Sequence, residues 1–149
     1  MHITLETDYA IRIVDFMVKN DGRFDAKAIS EKTYVPQTFA MKILRKLGNA
    51  GIVNSYKGTK GGYELGRSPS ELSLYDVVEA VEGTYMFSRC LDGHYNCNRA
   101  ENGLPCNYRI AFARISDIVC DELKKLTFDD FTGKALSLIH ISEPTRRVV

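Results

Sequence analysis

Residues 36 to 65 read PQTFAMKILRKLGNAGIVNSYKGTKGGYEL, and this stretch limits the fold more than any other. Its first half carries a helical period, with Phe39, Ile43, Leu44 and Leu47 forming one apolar stripe. Pro36 suits a first helical position, where its missing N–H costs nothing, and Gly51 closes the helix after about Ala50. Gly48 is a weak point near its end. The second half changes period. Ile52, Val53 and Tyr56 predict one strand and Gly62 to Leu65 a second, with the turn KGTKGG and its two lysines between them.

Two helices precede this unit. In residues 5 to 20, Ala10, Ile13, Val14 and Met17 fall at i, i+3, i+4 and i+7, and Asn20-Asp21-Gly22 ends the pattern. A short second helix has Asp25 as its N-cap and Ala28 and Ile29 facing inward. Helix, short helix, basic helix, basic hairpin is the order of a winged helix-turn-helix in a mostly α chain. In such folds the third helix enters the major groove and the hairpin touches the backbone nearby.

Charge is distributed to match. The net charge is only +1, yet residues 32 to 67 hold seven Lys/Arg against the single acid Glu64, and from Ser68 onward acids outnumber bases twelve to nine. A basic block in a neutral chain points to an anionic partner for that block, although a solvated surface gives the same count. On the third helix Thr38, Lys42, Arg45 and Lys46 are the candidate DNA contacts. Arg45 suits a bidentate contact to guanine, and the lysines suit phosphate. Lys57 and Lys60 at the wing tip, with Tyr56 beside them, belong near the minor groove or the backbone.

Beyond Pro69, Ser73 is expected to cap a helix from about Leu74 to Glu82, with Asp76 at the capping-box position and Gly83 as its end. CLDGHYNCNRAENGLPC follows, with three cysteines and no helical or strand period. Tyr108, Phe112, Ile115, Val119, Leu123 and Leu126 then repeat at coiled-coil-like steps and predict a long helix. Such a seam needs a cover. Its own domain is one; the same helix of a second chain is preferred, because DNA-binding helices of this type read paired half-sites as dimers. The expected division is residues 1–83 as the winged domain, 84–107 as the cysteine loop, 108–130 as the dimerisation helix and 131–149 as a tail. The ending SLIHISEPTRRVV resembles translated read-through of a sequencing adaptor, so the tail is expected to be non-native from about Ser137.

No run of apolar residues is long enough to span a membrane. The first residues, MHITLETDYAIRIVDFMV, carry acids and lack a basic leader followed by an apolar core, so no signal peptide is read there and a cytoplasmic location is expected. Clustered cysteines in that setting are metal ligands or redox thiols more often than disulfides.

Three segments together, TLETDYAIR, AGIVNSYKGTKGGYEL and LSLYDVVEAVEG, followed by three cysteines and a long helix, resemble the bacterial winged-helix regulators that include IscR, NsrR and CymR. The resemblance covers about residues 1 to 130. It implies a homodimeric, DNA-binding transcription regulator, expected to be a repressor. In several members three cysteines ligate an iron–sulfur cluster that senses iron, nitric oxide or redox state. Here Cys90, Cys97 and Cys106 are the candidates, with 4Fe–4S favoured over 2Fe–2S. Soft thiolates suit iron–sulfur or zinc, and the absence of any CxxC weakens zinc.

A fourth ligand is missing from the loop. NsrR-type members supply an aspartate from the other subunit at the position of Asp8, with an arginine corresponding to Arg12. An ordinary i,i+4 ion pair is the plain alternative for these two residues. His94 in the loop is another candidate ligand, or a solvated histidine. The histidine that IscR-type members carry beyond the third cysteine is replaced here by Asn107, Tyr108 and Arg109. The cysteine gaps are also wider than in either type. Cys120, mid-helix, reads as a reduced packing residue. The alternative function is a cluster-free regulator of the same fold, controlled by a protein partner or by thiol oxidation, as CymR-type members imply. No phosphate-cradling loop of P-loop type and no nucleophile–base set argue for an enzyme.

Overall fold

The computed structural model describes residues 2–98 and 106–133. Helix α1 (Leu5–Lys19) starts where the Thr4 hydroxyl accepts a hydrogen bond from the Thr7 amide, and it buries Ala10, Ile13, Val14 and Met17. Helix α2 (Ala26–Thr33) is capped by Asp25, whose carboxylate accepts from the Ala28 amide at 2.7 Å. Helix α3 (Gln37–Asn49) begins one residue later than expected. Pro36 has an extended ψ of 137° and takes the cap position ahead of the helix rather than its first turn.

Along α3 the buried set is Ala40, Ile43, Leu44 and Leu47, all fully enclosed. Phe39 sits at the edge of this face, 40% exposed, with its ring set edge-on to Tyr9 at 5.7 Å. Four enclosed side chains on one helix face, three of them Ile or Leu at about 1.5–3 kcal/mol each, anchor α3 against the core.

The wing is the antiparallel pair β1 (Val53–Tyr56) and β2 (Gly62–Leu65), in register Val53 to Leu65 and Tyr56 to Gly62. A third segment joins it. Phe24 exchanges two backbone hydrogen bonds with Tyr63, at 3.0 and 2.8 Å, so the connection between α1 and α2 is laced to the hairpin. Gly62 makes this approach. Its φ is +137°, and a Cβ there would stand 2.8 Å from the Phe24 carbonyl oxygen.

Helix α4 (Leu74–Glu82) carries the expected capping box between Ser73 and Asp76 and ends at Gly83. Helix α5 (Asn107–Lys125) is shorter than the expected span to residue 130. It stops because the chain turns back onto the winged domain. Leu74 donates to the Leu126 carbonyl and Phe128 to the Leu72 carbonyl, both at 2.9 Å, and Phe128 is buried in the core. A capping box between Thr127 and Asp130 starts the one-turn helix Phe128–Phe131.

The expected α5 seam divides into two. Phe112, Val119 and Leu123 are partly covered on the same side as the buried Ser116, whose hydroxyl accepts from the Phe87 amide at 2.8 Å. The Phe112 and Phe87 rings meet at 5.4 Å. Tyr108 and Ile115 are instead exposed, and Ile118 joins them. With Ala111 these residues step by three, four and three, an a/d spacing of their own. The residues from 134 onward, including the expected non-native tail, lie outside the described residues. Among those described, no helix is long and apolar enough to cross a membrane.

Replacing Gly62 with Ala should lower stability by about 2 kcal/mol, through left-handed strain and displacement of Phe24. Urea denaturation measures this, and an unchanged midpoint would contradict the close approach.

Candidate nucleic-acid interface and cysteine loop

Because α3 buries the Ala40–Leu47 face, the opposite face is open. Thr38, Lys42, Arg45 and Asn49 point outward there, and Met41 lies among them, 53% exposed. Met41 escaped the sequence reading because a methionine inside a helical pattern ordinarily counts as core.

Lys46, expected at the DNA, is engaged within the domain. Its ammonium lies 2.9 Å from the Glu6 carboxylate and donates to the Val81 carbonyl at 2.8 Å. This lysine therefore ties α3 to α1 and to the last turn of α4. Lys42 shares Glu6 at 3.5 Å but remains largely exposed. Beside this strut, the Glu82 carboxylate accepts from the Thr4 hydroxyl at 2.6 Å and from that of the buried Thr7.

These contacts set the two carboxyls. Burial raises Glu6, but the Lys46 and Lys42 ammoniums outweigh it and hold the group below its usual value. Burial likewise raises Glu82, and the Thr4 and Thr7 hydroxyls more than offset it. Both folded values are depressed, so the stabilisation is fully present above the unfolded carboxylate pKa and is lost as pH falls through the folded values.

At the wing, Lys57 and Lys60 are exposed in the turn. Tyr56 is flanked by Arg23, whose guanidinium stacks 3.4 Å from the ring centroid and lies 3.4 Å from Glu64. The wing thus carries an additional cation that belongs to the α1–α2 connection. No local pattern could have flagged Arg23, because the Phe24–Tyr63 pairing that brings it there is non-local.

The cysteine loop leaves α4 at Gly83 and returns at α5. Cys90 lies in the one-turn helix Arg89–Leu91, and Cys106 is the N-cap residue of α5. Cys90, Cys97 and Cys106 are all free and half-buried. Three unpaired thiols are the right kind of donor for an iron–sulfur cluster. Among the described residues, however, no three His, Cys, Asp or Glu side chains are gathered as a metal site.

His94 is exposed, and its amide donates to the Asp92 carboxylate. Asp8 is on α1, 2.8 Å from Arg12, and both side chains are about half exposed. Cys120 is half-buried on α5. Burial raises its thiol, Lys124 opposes this, and nearby carboxylates add to the rise.

A family model described as "Rrf2: Iron-dependent Transcriptional regulator" matches residues 3–134. The chain belongs to the Rrf2 family. Among its Rrf2 relatives, the regulator NsrR of Bacillus subtilis is 30% identical over 98 residues, covering 64% of this chain and 67% of that one. The regulator IscR of Pectobacterium carotovorum is 27% identical over 135 residues, covering 89% and 80%. The solved structure of CymR, "the Global Cysteine Regulator of B. subtilis", superposes with a TM-score of 0.66 at 24% identity, covering 88% of this chain and 95% of that one. Rrf2 proteins are transcription regulators and not enzymes, and the winged fold described above is theirs.

Glu6→Gln should lower thermal stability at neutral pH and flatten its loss as pH falls below the usual carboxylate range. A variant that matches the native pH profile would show that the Glu6–Lys46 ion pair contributes nothing.

Proposed function

We propose that this chain is a homodimeric repressor whose hold on operator DNA is set by an iron–sulfur cluster. The observation that carries the DNA reading is α3. One face is enclosed in the core, while Thr38, Lys42 and Arg45 stand exposed on the other. An arginine on such a face suits bidentate recognition of guanine, and Lys57 and Lys60 on the wing suit phosphate. The Tyr108, Ala111, Ile115 and Ile118 stripe of α5 is the face offered to the second copy, which would set two recognition helices on paired half-sites.

Cys90, Cys97 and Cys106 are the residues that would hold the cluster, with Asp8 of the opposite subunit as fourth ligand and His94 as the alternative. What supports this is the set of three free thiols on one connection, together with the iron dependence in the family's description. A bound cluster supplies a thiolate–iron centre that reacts to iron supply, nitric oxide or redox state. Arg12, within ion-pair distance of Asp8, would orient its carboxylate. An oxygen ligand among thiolates is the weaker bond, so Asp8 would be the first to let go. Release would free the winged domain of one subunit from the loop of the other and shift the recognition helices between two arrangements. The dispersed thiols favour a second reading, a cluster-free regulator that answers to thiol oxidation or a protein partner.

Neutralising Lys57 and Lys60 to Gln should weaken binding to every duplex and reduce the salt slope by about 2, whereas Arg45→Ala should relax sequence preference. An untouched salt slope removes the wing from the interface. Anaerobic purification with iron and sulfide counts tests the cluster. Native protein should carry both, Cys97→Ala should carry neither, and Asp8→Ala should assemble less and regulate less steeply. A colourless, iron-free native protein transfers the case to the second reading.

A further inference from the structure

The turn between α2 and α3 holds Tyr34 in a conformation that a tyrosine rarely adopts. Its φ of 57° is the only positive value at a non-glycine position among the described residues. The place is the first position past α2, where glycine or asparagine normally serves. The turn is firmly fixed. The Ser30 carbonyl accepts from the amides of both Tyr34 and Val35, and the Ser30 hydroxyl donates to the Val35 carbonyl at 2.6 Å. Both neighbours are anchored inside, Thr33 at 6% exposure and Val35 at 1%. Tyr34 between them is 86% exposed, more than any other large hydrophobic side chain described. Among the described residues, no hydrogen bond or ring contact engages its side chain.

Folding gains nothing evident from this residue. The side chain is 86% exposed, and glycine would relieve the backbone while removing apolar surface from water. Strain that the surroundings over-determine is a feature of functional positions. The location supplies the function. Tyr34 stands two residues ahead of the α3 cap, beside the end of the helix that enters the groove, where flanking side chains meet the sugar–phosphate backbone.

We propose that Tyr34 is a DNA-backbone contact, its phenol donating a hydrogen bond to a phosphate at the mouth of the groove that receives α3. The inference rests on the DNA reading above and adds a contact that carries no base preference. It also implies that stability and binding respond to this residue in opposite directions.

Anisotropy of a fluorescein-labelled duplex of mixed sequence, read beside thermal melts, tests it. Tyr34→Gly should melt about 2 °C or more above the native protein and bind about fivefold more weakly. Tyr34→Phe should melt as the native protein does and bind about threefold more weakly on every duplex tried. A merely structural tyrosine would lower melting and binding together. If both variants bind like the native chain while the Lys57/Lys60 variant is weakened, the Tyr34 contact is refuted and the DNA reading stands. If the native chain binds no duplex, both fall.

Discussion

The enclosure of one face of α3 is the constraint on which the rest depends. Ala40, Ile43, Leu44 and Leu47 reach zero exposure against the core. A helix so fixed has no rotational freedom, and its opposite face is determined by subtraction. The polar strut of Lys46, Glu6 and the Val81 carbonyl acts on the flank of that helix. It joins the end of α4, from which the cysteine loop departs, to the element that would read DNA. Rigid packing and one shared lysine thus give the loop and the recognition helix a common frame.

Much of this was legible in the chain itself. The periods of α1 and α3, the caps at Asp25 and Ser73 and the glycine-rich wing turn are local signals, and the observed elements follow them closely. The losses are non-local. The partners of Lys46 could not be read locally, because nothing within the helix reveals that Glu6 and the Val81 carbonyl wait on neighbouring elements. The stacking of Arg23 on Tyr56 depends on a strand-like pairing between segments distant in sequence, from Phe24 to Tyr63. Tyr34 passed unnoticed because left-handed backbone is expected at glycine or asparagine.

Helix α5 shows how one apolar pattern can conceal two. A four-three repeat drawn through Tyr108, Phe112, Ile115 and Val119 mixes residues that face the winged domain with residues that face solvent. Burial separates them into an inner stripe around Ser116 and an outer stripe through Ile115 and Ile118. Each stripe is narrower than the face a globular helix usually hides, and together they exceed it. The helix has enough apolar surface for two faces, and the described chain covers only the inner one.

The return of the chain after α5 has a mechanical consequence. Phe128 is seated in the core, the Leu126 carbonyl is bonded to α4, and Phe87 grips the middle of the helix through Ser116. The C-terminal end of α5 is thereby fixed to the winged domain, and its middle to the first residues of the cysteine loop. A partner lying on the outer stripe would meet a helix held at both of these points and not one hanging from a single hinge.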